Sequence, residues 1–159
     1  MNLTPLRSPQ AGADIVSTNS YKVSVELLRN LNYFESHPDA SPDLANEMLR
    51  ASVDLARQAI ARHQAASPAS WTEPLIAATL GPFSISRPFQ SAIGTAVDRA
   101  QKASASVDEI AAFHKSKSLT LLEAGADILA FETIASLDET RAIAQVMADL
   151  PDACPDACR

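Results

Sequence analysis

Glycine is scarce in this chain: only Gly12, Gly81, Gly94 and Gly125 occur in 159 residues. A glycine-rich phosphate loop or dinucleotide fingerprint needs several glycines close together ahead of a helix, so both are excluded. A Gly-x-Ser-x-Gly nucleophile elbow is missing as well. Cysteine is rarer still. Cys154 and Cys158 are the only two and both fall in the last six residues, which is no disulfide framework and points to a reducing, cytoplasmic setting. Their i, i+4 spacing could share a metal, but a zinc site needs three or four ligands, so neither is assigned as one. His-x-x-x-His and Cys-x-x-Cys spacings are absent too. Positive charge is in deficit: 13 Lys and Arg against 19 Asp and Glu leave a net charge of −6. That argues against a nucleic-acid partner, because neutralising phosphates takes clustered Lys and Arg. No apolar run approaches a membrane span, and Met1–Gln10 lacks the apolar segment of a secretory signal.

What remains is ordinary globular composition, 47% apolar and 20% charged, enough for one domain with a real core. Residues 1–10 read as an irregular segment, 11–150 as the folded domain and 151–159 as an irregular tail. Three apolar stretches read as strands, each ending in polar or turn residues. The first, from Ala11-Gly12-Ala13-Asp14-Ile15, ends in Thr18-Asn19-Ser20-Tyr21. The second, Leu75–Leu80, ends in Gly81-Pro82-Phe83. The third, Ile128–Phe131, follows Glu123-Ala124-Gly125-Ala126-Asp127 and ends in Glu132-Thr133. Its apolar run without alternation suits a strand covered on both faces. The Ala-Gly-Ala-Asp-Ile opening occurs twice, as a repeated helix-stop-then-strand unit would require. Gly125 suits a helix C′ position at positive φ.

Helices separate these strands. Val23–Leu31 places Val23, Leu27, Leu28 and Leu31 on one side, and Ser36–Pro42 reads as a loop. A helix starting at Ser41-Pro42-Asp43 and running to about Ala65 buries Leu44, Met48, Leu55, Ala56 and Ile60, with His63 facing solvent near its end. After a loop and a weak helix near Ala92–Lys102, two capping boxes stand out, Ser106-Val107-Asp108-Glu109 and Ser136-Leu137-Asp138-Glu139. The first opens a helix carrying Ile110, Phe113, Leu121 and Leu122 inward, with His114 in a structural role. The second opens a helix burying Ile143, Val146, Met147 and Leu150 and stopping at Pro151. Strands alternating with helices imply an α/β fold with parallel pairing. In such folds chemistry gathers at the C-terminal ends of strands, which marks Glu132. Capping or solvation is the plainer reading of that carboxylate, and turn chemistry the plainer reading of Thr18 and Asn19.

Taken together, Ala11–Tyr21, Gly81-Pro82-Phe83, Phe113-His114 with Lys117, and Glu123–Ile134 resemble the homocysteine S-methyltransferases. The resemblance spans about Ala11–Leu150 and is nearest to the branch using S-methylmethionine or S-adenosylmethionine as methyl donor. It implies a partial (β/α)8 TIM barrel, homocysteine as substrate and methionine as product. It also implies a zinc ion held by three cysteine thiolates, whose coordination activates the substrate thiol. By that resemblance Glu132 takes the substrate ammonium, Thr18 and Asn19 line the amino-acid pocket, and Gly81 and Pro82 belong to the next strand end.

Several family features have no match. No strand with an Asp-Gly-Gly motif precedes Ala11, the zinc cysteines find no counterparts, Ser84 stands where glycine is usual and Lys117 where arginine is usual. A full barrel takes about 250 residues, so this chain corresponds to roughly half of one. The expectation is therefore a homocysteine S-methyltransferase-like chain that keeps part of the substrate pocket, has no catalytic or metal-ligating residue assigned, and does not turn over alone. The alternative is a non-catalytic half-barrel module that self-associates through open edges.

Overall fold

The structure, a computed structural model, describes residues 12–66, 73–86 and 105–153. The segment 1–10, the weak helix expected at 92–102 and the cysteine-bearing tail lie outside these residues. The described elements run β1 (Ile15–Ser17), α1 (Val25–Asn30), α2 (Tyr33–Ser36), α3 (Leu44–Ala66), β2 (Leu75–Leu80), a 3-10 turn (Phe83–Ser86), α4 (Val107–Glu123), β3 (Ile128–Phe131) and α5 (Leu137–Ala153). The three strands form one parallel sheet in the order β1-β2-β3. Because the pairing is parallel, the C-terminal ends of all three strands face the same edge; β2 and β3 end level, Leu80 against Phe131, while the last residue of β1, Ser17, lies against Ala77 within β2. No described helix is long and apolar enough to cross a membrane.

The repeated Ala-Gly-Ala-Asp-Ile unit is built as the residues require. Gly12 and Gly125 both have positive φ, 78° and 90°. At Gly125 the helix closes in a Schellman motif: Gly125 N–H donates to Leu122 O at 2.8 Å and Ala126 N–H to Leu121 O at 3.1 Å. A side chain at 125 would strain the backbone and drive its Cβ to 2.5 Å from Arg57 Nη2, which itself donates to Ala124 O at 2.8 Å. Each aspartate of the unit then reaches β2: Leu75 N–H donates to Asp14 O at 3.0 Å, and Ile76 N–H to the Asp127 carboxylate at 2.7 Å.

One core lies between the sheet and α3, made of Val16, Leu49, Val53, Ala56, Ile60, Ile76, Ala78, Leu80 and Leu121. A second joins α4 to α5 through Ile110, Ala111, Leu122, Ala142, Val146 and Leu150.

Several expectations need correction. On α3 Leu44 is half-buried and Met48 and Leu55 are exposed, whereas Ala45, Leu49 and Val53 are buried beside Ala56 and Ile60. Two apolar stripes run along this helix, one residue apart, and packing on the sheet chose the smaller one. Ser36 is helical rather than loop, because Asn32 in the left-handed region (φ 50°) starts a further turn. Helix α1 begins after Ser24, whose Oγ caps Leu27 N–H at 3.0 Å, and Leu31 is exposed. His63 is half-buried. Helix α5 continues past Pro151 to Ala153; a proline in the final turn forfeits only its own N–H bond. Its Ile143 is half-buried and its Met147 exposed, with Ala142 taking the inward place. All four residues of β3 are half-buried rather than covered on both faces, because β3 closes the described sheet at one side. On α4, Ile110, Phe113, Leu121 and Leu122 are buried as expected.

Candidate functional site

Parallel pairing gathers the three strand tips. Thr18 N–H donates to Ala77 O at 2.9 Å, Gly81 N–H to Tyr21 O at 3.1 Å and Glu132 N–H to Leu80 O at 2.9 Å. The five candidate residues Thr18, Asn19, Gly81, Pro82 and Glu132 therefore share one edge of the sheet. Their exposure differs. Thr18, Gly81 and Pro82 are buried, while Asn19 and Glu132 are exposed.

Thr18 has its hydroxyl committed. Thr79 N–H donates to Thr18 Oγ1 at 3.2 Å and Thr79 Oγ1 donates to Thr18 O at 2.9 Å. Ser20 Oγ donates to Thr79 O at 2.7 Å, which leaves Thr18 Oγ1 to donate to Ser20 Oγ at 2.6 Å. This buried hydroxyl network ties the β1 tip to β2, so Thr18 shapes the edge more than it offers a free group to a ligand. Glu132 is the opposite case: an exposed carboxylate. Thr133 beside it has φ 61°, a left-handed conformation that a β-branched residue adopts only where surrounding structure imposes it.

Behind the tips stands a buried pair that local sequence did not announce. His114 Nε2 lies 2.8 Å from Glu139 Oε1, with His114 wholly buried and Glu139 only 5% exposed. The same oxygen accepts Phe83 N–H at 2.5 Å. Glu139 thus joins α4, α5 and the segment that follows Gly81-Pro82. Among the described residues the other ring nitrogen of His114, Nδ1, and the hydroxyl of Ser118 one turn on find no hydrogen-bond partner.

A cleft of about 300 Å³ opens between α1, α3, α4 and the 3-10 turn, lined by Glu26, Asn46, Leu49, Phe83, Phe113 and Lys117 among others. Lys117 is 5% exposed, and burial pushes its ammonium down to about 8 from the usual 10.5, opposed by the charge of Glu26. The signal for this residue was present in the sequence: Ile110, Phe113, Lys117 and Leu121 fall on one helical stripe, so a lysine was written into a buried face.

Among the described residues no group of three or more His, Cys, Asp or Glu side chains is placed to hold a metal ion. The described part of the chain does not supply a zinc ligand set.

An α/β chain with these tips is matched over residues 9–155 by the family model for homocysteine S-methyltransferase, and the chain belongs to that family. It is 32% identical over 146 residues to a betaine-homocysteine S-methyltransferase of Drosophila melanogaster, covering 89% of this chain and 41% of that one. It is 28% identical over 144 residues to the homocysteine S-methyltransferase of Escherichia coli, covering 91% and 42%. The crystal structure of the metallated homocysteine methyltransferase MmuM from Escherichia coli superimposes with a TM-score of 0.73 at 26% identity, over 93% of this chain and 46% of that one. The chain spans less than half the length of the relatives it matches.

Proposed function

We propose that these residues are part of the homocysteine pocket of a (β/α)8 barrel, and that the described half contributes substrate binding rather than the methyl-transfer machinery. The observation that carries the proposal is the exposed carboxylate of Glu132 on the edge shared with Thr18 and Gly81, in a chain of this family. A carboxylate there is suited to a substrate ammonium, through a charge-assisted hydrogen bond worth about 1.5–3 kcal/mol. Gly81 brings backbone rather than side chain to the edge and Pro82 follows it with a fixed φ, Thr18 fixes the β1 tip and Asn19 offers an exposed amide. The reaction served would be methyl transfer to the homocysteine thiol, giving methionine, with S-methylmethionine or S-adenosylmethionine as donor, in the cytoplasm. Zinc, when bound in the family, supplies the activated thiolate; its ligands would have to come from outside the described residues.

Titration calorimetry of the purified chain with homocysteine tests this. Binding should weaken by about tenfold or more in Glu132→Gln, the size of one such bond; unchanged binding would refute the role of Glu132. Supplied with zinc and either donor, the chain alone should form no methionine, and methionine formation would refute the restriction to binding. A second reading is favoured by β3, whose residues are all half-buried: a half-barrel that pairs with another copy along this strand. A monomer at high concentration in sizing would dispose of it.

A further inference from the structure

Four described residues have positive φ: Gly12, Gly125, Asn32 and Thr133. Glycine meets no Cβ penalty in that region and asparagine tolerates it, whereas a β-branched residue is strained there. Thr133, at φ 61°, is therefore the residue whose own side chain opposes its backbone. That side chain is exposed and makes no hydrogen bond among the described residues, so no bond of its own offsets the strain.

The strain is imposed from both sides. Before Thr133, Glu132 N–H donates to Leu80 O at 2.9 Å. After it, Ser136 Oγ accepts Glu139 N–H at 3.1 Å. Glu139 Oε1 in turn accepts Phe83 N–H at 2.5 Å and lies 2.8 Å from His114 Nε2. Residues 132–139 are thus fastened at both ends to one short stretch, residues 80–83, which spans at most about 10 Å. The inner anchor is buried, with Glu139 5% exposed and His114 wholly enclosed. Only residues 133–135 connect Glu132 to the cap at Ser136, and so short a connection with fixed ends has little choice of dihedrals.

We propose that Glu139 is a positioning residue for Glu132: its bridge to His114 and the Phe83 N–H holds 133–135 in a strained turn, and that turn keeps the Glu132 carboxylate free at the strand-tip edge. The inference rests on the reading of Glu132 as a substrate-binding carboxylate. Strain of this kind persists only where the surroundings over-determine it, and here the surroundings are the buried bridge. Releasing the bridge, or lengthening the connection, lets Thr133 leave the left-handed region and the carboxylate lose its fixed place.

A double-mutant cycle on the full chain tests this. Thr133→Gly should raise the melting midpoint by about 3–6 °C, the effect of relieving one left-handed residue. In Glu139→Ala that gain should shrink to about 1 °C or less, because the turn is already released. If Glu139→Ala does not fold, two glycines inserted between Ala135 and Ser136 decide, since they free the turn and leave the bridge intact. The same gain in every background would overturn the proposal. The backbone chemical shifts of Thr133, which report the sign of φ without any ligand, should move to negative φ in the inserted chain. Shifts that stay at positive φ would also overturn it. Homocysteine affinity by calorimetry should fall about threefold or more in the inserted chain, and should fall no further when Glu132→Gln is added. An unchanged affinity, or losses that simply add, would give Glu139 a structural role alone and refute the positioning. If the parent does not bind homocysteine at all, the pocket reading fails by itself, while the cycle and the Thr133 shifts still decide whether Glu139 sets the turn.

Discussion

Ser106-Val107-Asp108-Glu109 and Ser136-Leu137-Asp138-Glu139 are the same local instruction given twice, and the fold carries it out differently. At the first, Glu109 N–H donates to Ser106 Oγ at 3.2 Å and the Glu109 carboxylate returns to Ser106 N–H at 2.8 Å. The box is closed and exposed. At the second, Glu139 N–H donates to Ser136 Oγ at 3.1 Å, but the carboxylate leaves the cap for His114 and Phe83. The expected second capping box is thus half formed. The cause is surroundings: α5 packs its first turn against α4 and the 3-10 turn, which brings the buried His114 Nε2 and the Phe83 N–H within reach of the Glu139 carboxylate. A buried unsatisfied donor costs about 1–3 kcal/mol, more than a solvent-exposed cap contributes. The carboxylate goes where the larger penalty is.

The comparison is easiest to break at the two glutamates. Glu139→Ala takes the partner from the buried His114 Nε2 and should destabilise the chain by about 3–5 kcal/mol, read from urea unfolding. Equal losses for Glu139→Ala and Glu109→Ala would mean that the inner pair contributes nothing beyond capping. Lys117 supplies the next test, as a buried charge on α4 that sits over the Phe113 ring and makes no ion pair among the described residues. Its ammonium is lowered in the fold to about 8 from 10.5, so the unfolded chain binds the proton more tightly between those values. Stability should therefore rise as pH climbs from about 8 to 10.5, by roughly 3 kcal/mol, and be lost again on the way down. Lys117→Met should flatten that part of the pH profile; a rise that persists in the variant would assign it to another group. The serines come third, since their half of the box is the same at both helices. Ser106→Ala and Ser136→Ala should each lose about 1 kcal/mol, and a twofold disparity would show that the carboxylates strengthen one cap over the other. The smallest effect belongs to Glu109→Ala, about 0.5 kcal/mol, halved or less in high salt because the site is exposed.

Much of the frame could be read directly. The second and third strands occupy Leu75–Leu80 and Ile128–Phe131 as the apolar runs indicate, and the glycine stop at 125 has the positive φ its position demands. These features depend on neighbours in the chain: steric limits on φ, caps within one turn, and short apolar runs between breakers. The face of α3 was misjudged because alanines blur its pattern, and Leu44, Met48 and Leu55 make as good a stripe on paper as Ala45, Leu49 and Val53. Of the candidate pocket, the tips were legible as strand ends. That Thr18 has its hydroxyl occupied while Glu132 keeps its carboxylate free was not, since Thr18 meets Thr79 across 61 residues of sequence.

The sequence by itself determined where the two serine-capped helices α4 and α5 begin, where the second and third strands lie, and the family to which the chain belongs, because each of these is written in contiguous residues. The tertiary structure alone decided what the polar side chains do once buried. It turned Glu139 from cap to bridge, closed the hydroxyls of Thr18, Ser20 and Thr79 on one another, and set Lys117 over the Phe113 ring in a cleft that it shares with Glu26. A buried polar group takes its partner from whatever the packing brings within 3 Å or so, and packing is not local.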